Sequence, residues 1–427
     1  MGHDVIIVGA RVAGAATAML LARAGAKVLV VDRATFPSDT LSTHQVQVPG
    51  VARLARWGLL PRLVAAGTPP TRDVTFHVGG AAISGRYPAV AGADAMYSPR
   101  RTRLDKLLVD AARDAGAEVR EGTIVEGLVE VDGRVGGVRL RRKSGGRTDE
   151  HAAVVVGADG KNSTVARTVG ADVRISRAPR TLAFYSYWEG LDLPAGQVFS
   201  GDRRVVGAWP TDDGQVITYC AWPASELAAF RRDPGHSLLA SLDGAGDLGE
   251  RARAARRVSP VRATTDLPNE VRASHGPGWA LAGDAGLVMD PITGQGIGNA
   301  FRDADLLSAA LVDGLGGRRD LTAAMSRYVR ERDRSTRAMF DFTVGLASFR
   351  PTSPGERRLF AAVAERPAEA DRFFAVLSGV APVGAFFSPA HLVRLVGLRG
   401  TLGLARDRLR RPVPPRARHD VLAEPIT

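Results

Sequence analysis

Apolar residues crowd into two short runs, 4–8 and 27–32, and between them small and apolar residues recur at helical spacing from about Val12 to Arg23. That order predicts two buried parallel strands joined by a helix, a right-handed crossover unit. The chain then turns polar over 33–45, and residues 50–67 read as helical. Residues 75–87 alternate like exposed-edge strands, and 100–116 carry apolar residues on one helical face until Gly116 closes the helix. A strand follows, then a hairpin over 124–142 whose Asp132-Gly133 pair supplies the positive φ of a tight turn. A buried strand at 152–157 ends in a loop.

From about Ser176 to Val271 the pattern changes to separated alternating strands, 181–190, 203–210 and 214–223, with helical links. Strand and loop return at 278–286, a long helix follows at 298–315, and the chain reads as helical from Asp320 to a proline-rich end. The expectation is an α/β protein. A Rossmann-like domain is assembled from 1–70, 101–175 and 272–318; an antiparallel-sheet domain is inserted as 71–100 and 176–271; a helical region and tail occupy 319–427. No short-period repeat of the solenoid kind is visible.

Composition narrows the class. At 427 residues and 45% hydrophobic content the chain can bury a sizeable core. No stretch reaches the ~18 uninterrupted apolar residues of a membrane span, and the first strand begins too early to leave room for a secretory leader. Cys220 alone builds neither a disulfide framework nor a cysteine-cluster zinc site. These readings give a cytoplasmic protein with no membrane span. A net charge of +12 would favour nucleic acid if it were clustered. It is instead almost all arginine, spread along an Ala-, Gly- and Pro-rich chain, and the basic stretch 408–420 reads as a solvated tail. An anionic small ligand suits it better than nucleic acid.

The chemistry begins between the first strand and helix, at "GARVAG". Gly9 would make a tight turn and Gly14 would let helix and strand pack closely. The N–H groups at the helix start, from Arg11, Val12 and Ala13, would face a pyrophosphate. Asp32, with Arg33 beside it, ends the second strand where a carboxylate accepts hydrogen bonds from an adenosine ribose, and it disfavours a 2′-phosphate. Arg11 stands where the middle glycine belongs; with a negative φ its side chain would point outward or curl onto a phosphate oxygen.

Two further motifs follow, "VVVGADGKNSTVART" at 154–168 and "GWALAGDAGLVMDPITGQGIGNAFRDADLL" at 278–307. With the first they resemble, in order, the three signatures of the FAD-dependent aromatic hydroxylases, the para-hydroxybenzoate hydroxylase type of flavoprotein monooxygenase. The resemblance covers residues 1 to about 310. It implies bound FAD, with Gly283 and Asp284 at the ribityl or pyrophosphate region. Pro291, Gly294 and Gly296 would leave bare backbone so that the N–H groups of Ile297 and Gly298 face the flavin N1–C2=O edge. "RRTRL" matches the family's helix start and assigns Arg101 to the cofactor, with Arg100 and Arg103 on the surface. Val125 matches a position whose backbone meets adenine. Asp159 either serves the cofactor and pyridine nucleotide or caps the helix near Ser163. Four departures stand out: Arg11, Leu287 in place of a histidine, Gly298 in place of an asparagine, and the loop 36–45, where relatives often carry an arginine facing the flavin and His44 is here the nearest polar candidate.

The resemblance implies a monooxygenase with NAD(P)H as transient reductant, O2 as co-substrate and an aromatic or polyketide-like small molecule as substrate. Tyr185, Tyr187, Trp209, Tyr219 and Trp222 of the inserted sheet are candidate substrate walls, His44 a candidate base or hydrogen-bond donor, and Cys220 inert filler. Neither a Ser-His-Asp set nor metal-ligand spacing is apparent. The geranylgeranyl reductase branch shares the three motifs, but its aromatic-proline strand motif is not apparent in this sequence. Halogenation would need a lysine in the early loop and a Trp-x-Trp motif, both absent. A non-catalytic FAD- and metabolite-binding protein is the alternative of another class.

Overall fold

The computed structural model describes residues 2–142, 145–201 and 203–409, so from residue 410 onward the basic stretch read as a tail lies outside the described residues. At its centre is the strand His3–Val8, flanked in parallel by Val28–Val31 on one side and by the end of Arg147–Gly157 on the other. Trp279–Leu281 and Glu118–Arg120 extend the sheet outward, again in parallel.

Both faces are covered, which is why these strands are continuously apolar. Val5, Ile7, Val28, Val30, Val154 and Val156 point to the helices Val12–Arg23, Arg101–Asp114 and Gly296–Leu315. Ile6, Val8, Leu29, Val31 and Val155 point the other way, to Val138 and Leu140 of a hairpin. That hairpin is Thr123–Val131 and Arg134–Arg142, joined through Asp132 and Gly133 at φ 51° and 72°.

A second sheet runs in the order Arg256–Arg257, Thr181–Glu189, Gln215–Pro223, Arg204–Pro210, Gly196–Gly201, Asp73–Val78, Ala81–Arg86. The parallel pairing of Gly196–Gly201 with Asp73–Val78 joins segments far apart in sequence. Val173–Arg177 and Asn269–Arg272, at the two ends of the inserted segment, leave this sheet and pair with Leu287–Val288 in a small sheet of their own.

Alternation gives the large sheet two different faces. Ala183, Tyr185, Tyr187, Trp209, Ile217 and Tyr219 belong to the same core as the Rossmann-like sheet. Leu182, Phe184, Trp188, Cys220 and Trp222 face a separate core with helices between 227 and 254. The C-terminal helices close the other end: Phe373 and Phe374 of Pro367–Leu377 meet Phe76 and Tyr87 edge-on. Among the described residues no helix is long and apolar enough to cross a membrane.

Candidate functional site

The glycine turn is fixed by close approach. Gly9 has φ +101°, and a side chain there would collide with the Ala158 carbonyl; one at Gly14 would collide with the carbonyl of Gly9. The helix Val12–Arg23 starts without a side-chain cap, so its first N–H groups, those of Val12 and Ala13 included, are left for a ligand. Asp32 accepts hydrogen bonds from the N–H groups of Ala10 at 2.7 Å and Ala34 at 2.8 Å, which ties the end of the second strand to the turn. Arg33 is exposed beside it. Val125 lies two residues beyond Thr123, whose N–H donates to the Asp32 carbonyl at 2.8 Å.

Arg11 resolves the oddity of the motif. Its φ is −84°, and its guanidinium points away from the turn, with Nη1 2.5 Å from Asp105 Oδ2 and Nη2 3.0 Å from Ser38 Oγ. Asp105 is fully buried and is shared with Arg101, whose Nε and Nη2 donate to it at 3.0 and 3.1 Å. Two arginines around one carboxylate leave a net positive charge. Sequence reasoning missed Asp105; its signal was the i, i+4 spacing from Arg101 on one helix face.

The three motifs converge. Gly9 packs on Ala158 and the Asp159 backbone, and Gly283, at φ +59°, packs on the Ala13 side chain. Gly283 begins a short turn that leaves the Asp284 side chain exposed, and desolvation by the surrounding protein pushes its pKa up to about 6 against the pull of Arg101 and Lys161. Pro291 opens the next turn, which ends in Gly294 at φ +64°, where a side chain would collide with Gln45. The helix Gly296–Leu315 then begins without a side-chain cap; Ile297 is buried, while Cβ atoms built on Gly296 and Gly298 would meet nothing. An open carboxylate, two uncapped helix starts and bare glycine surface form a cradle that fits an extended FAD.

Asp159 caps: its Oδ2 accepts from the Thr164 N–H at 2.6 Å at the start of Thr164–Thr168, while its buried Oδ1 has no hydrogen-bond partner among the described residues. Leu287 is a buried apolar residue packed with Val271 and Phe340.

His44 is fully buried in the left-handed region at φ +65°. Its Nδ1 is 2.7 Å from the Ser42 carbonyl, which can only accept, so Nδ1 carries the proton and Nε2 accepts from the Tyr187 hydroxyl at 2.5 Å. Burial lowers its pKa to about 4, with Arg101 and Arg100 adding to the effect, so the ring is neutral. Tyr185 and Tyr187 meet it edge-on. Tyr185, Tyr187, Trp209 and Tyr219 share one face of the sheet, and the Tyr185 and Tyr219 hydroxyls and Trp209 Nε1 are buried without a hydrogen-bond partner among the described residues.

Two expectations need correction. Trp222 is no wall of this site: it lies on the Cys220 face, its Nε1 donating to Ser241 Oγ at 2.9 Å and Arg204 stacked 4.1 Å from its ring, because residues of odd spacing on a strand point to opposite faces. Arg100 is no surface residue: its guanidinium lies 4.2 Å over the Tyr187 ring and its backbone N–H donates to buried Asp212 at 2.9 Å. Cys220 is buried with its thiol pushed up to about 12.

Residues 2–232 match the family described as FAD binding domain. The chain is 28% identical over 351 residues to a menaquinone reductase of Mycolicibacterium smegmatis, spanning 77% of this chain and 80% of that protein. It is 27% identical over 367 residues to a kynurenine 3-monooxygenase of Salinispora arenicola, spanning 79% and 78%. The solved structure of the flavin-dependent brominase Bmp2 shares the fold, with a TM-score of 0.79, 18% identity and coverage of 96% of this chain and 100% of the brominase.

Proposed function

Because the chain belongs to the FAD binding domain family and is a FAD-dependent oxidoreductase, we propose that it is a monooxygenase that draws electrons from NAD(P)H and places one oxygen atom of O2 on an aromatic or polyketide-like small molecule. The observation that carries this reading is the buried aromatic face of Tyr185, Tyr187, Trp209 and Tyr219, with three polar atoms left without a partner among the described residues, in the same core as the cofactor turn. Buried polar atoms are costly unless something pairs with them, and a bound substrate bearing oxygen atoms would do so.

Bound FAD would supply hydride acceptance and oxygen activation. The protein would supply position and a dry site. Asp32 would hold the ribose, and the Arg11–Asp105–Arg101 group would set positive charge near the pyrophosphate. The start of Gly296–Leu315 would favour negative charge on the flavin edge. Tyr187 has its proton committed to His44 Nε2, so its oxygen lone pairs are free to accept from a substrate hydroxyl. Burial raises the Tyr187 pKa and lowers that of His44, so the phenol keeps its proton and the pair orients rather than ionises.

The test is oxidation of NAD(P)H by the purified yellow protein with a panel of phenols and polyketides, with and without O2. Oxygen-dependent turnover with a product heavier by one oxygen atom supports the proposal. The likeness to a menaquinone reductase favours a second reading, a FAD-dependent reductase. Turnover that persists without O2 selects it, and FAD binding with no turnover selects a non-catalytic binding role.

A further inference from the structure

The helical segment Pro389–Leu409 kinks at Gly397, where φ is +72°, and it is apolar on two sides at once. Toward the protein it turns His391 and Leu395, both buried, and Asp407, whose Oδ2 accepts the Gly355 N–H at 3.2 Å. Toward solvent it turns Val393, Leu398 and Leu402; the last two, 64% and 61% exposed, are the most exposed large apolar residues among those described. A surface helix in water carries one apolar stripe, facing the core. A second stripe of leucines needs a second apolar environment.

Charge says which one. Arg394, Arg399 and Arg406 are exposed beside these leucines, and no acidic residue occurs between 389 and 406. None of the three has an acidic partner among the described residues, although arginine–carboxylate pairs recur over the rest of the surface. Beyond Leu409 the sequence adds Arg410, Arg411, Arg416 and Arg418.

We propose that the part of Pro389–Leu409 after the Gly397 kink lies on an anionic lipid surface, with Leu398 and Leu402, one turn apart, in the boundary between headgroups and acyl chains, and with Arg399, Arg406 and, just before the kink, Arg394 on lipid phosphates. A second copy of the chain in the same position would set these unpaired arginines against their own like. A nucleic acid would take the arginines and leave the leucines in water. An anionic bilayer satisfies both. The inference stands apart from the reaction the flavin performs.

The experiment sediments the full-length yellow protein with vesicles of phosphatidylcholine alone or mixed with phosphatidylglycerol, at low and high salt. The expected result is binding to the anionic vesicles only, weakened by salt, lost in the pair Leu398→Glu and Leu402→Glu, and reduced roughly fivefold for each arginine replaced by Gln. Retained flavin absorbance shows that each variant is folded. Absence of binding by the folded wild type overturns the proposal. So does binding that the Leu→Glu pair leaves unchanged, which would mark a merely basic surface, or vesicle binding fully displaced by duplex DNA. A dimer in sedimentation velocity that the same pair splits, without vesicle binding, overturns it in favour of self-association.

Discussion

Arg11 Nη1 lies 2.5 Å from Asp105 Oδ2, so the residue that spoils the glycine fingerprint is held by a carboxylate 94 positions away. The backbone of the turn is unaffected, because Arg11 occupies the extended N-cap position and its bulk leaves on the side of Ser38 and Asp39. Arg11→Gly is therefore expected to keep FAD, with affinity falling less than tenfold, since glycine serves well as an N-cap. Asp105→Ala is expected to be far worse. It leaves Arg101 and Arg11 facing each other without a counterion in a buried site, at a cost of roughly 3–5 kcal/mol. Thermal unfolding and flavin content after gel filtration check both. Equal effects of the two substitutions would show that Asp105 serves Arg11 alone.

Protonating His44 breaks its bond from Tyr187. Its pKa falls from 6.5 to about 4 on folding, so the unfolded chain binds the proton more readily between these values. The contribution is fully present above pH 6.5 and is lost as pH falls to about 4, on the order of 3 kcal/mol. Urea unfolding across that interval should show the slope. His44→Asn, which suits a positive φ, should flatten it. Tyr187→Phe leaves Nε2 buried and without a donor, so it should destabilise by ~1–3 kcal/mol and slow turnover without releasing FAD.

Asp290 works in the opposite direction. It is fully buried, its Oδ1 accepts the Ile292 N–H at 3.0 Å, its Oδ2 has no hydrogen-bond partner among the described residues, and burial pushes its pKa up from 3.8 to about 6. Its neutral form is thus favoured in the folded state, and stability is lost as pH rises from 3.8 through 6. Asp290→Asn keeps the acceptor for Ile292 and removes the charge. It should raise the neutral-pH stability by up to ~3 kcal/mol, with the gain vanishing toward pH 4 in calorimetric scans.

The parts of this molecule governed by local pattern were legible in the sequence. The central strand and first helix end within a residue or two of where periodicity puts them, because a buried parallel strand must be apolar throughout and the turn between them admits only glycine at Gly9. The glycine-rich start of Gly296–Leu315 was equally plain. What pattern could not supply was pairing across long separations: the salt link of Arg11 to Asp105, the stacking of Arg100 on Tyr187, the hydrogen bond from Tyr187 to His44. Trp222 was a different failure, since its parity relative to Tyr219 already placed it on the far face.

Gly298 separates folding from cofactor binding. A Cβ there meets no protein atom, so alanine can be placed without a clash, and inside a helix it should gain roughly 0.5–1 kcal/mol over glycine. The free space it enters is the space the flavin edge would use. Gly298→Ala is therefore expected to raise the unfolding temperature of the FAD-free protein while weakening FAD retention, two effects of opposite sign from one methyl group. Gly294→Ala makes the contrast: φ is +64° and the new methyl would strike Gln45, so it should destabilise the FAD-free protein as well. Differential scanning fluorimetry with and without added FAD reads both variants. If Gly298→Ala binds FAD as tightly as the parent, the flavin edge does not approach the start of this helix.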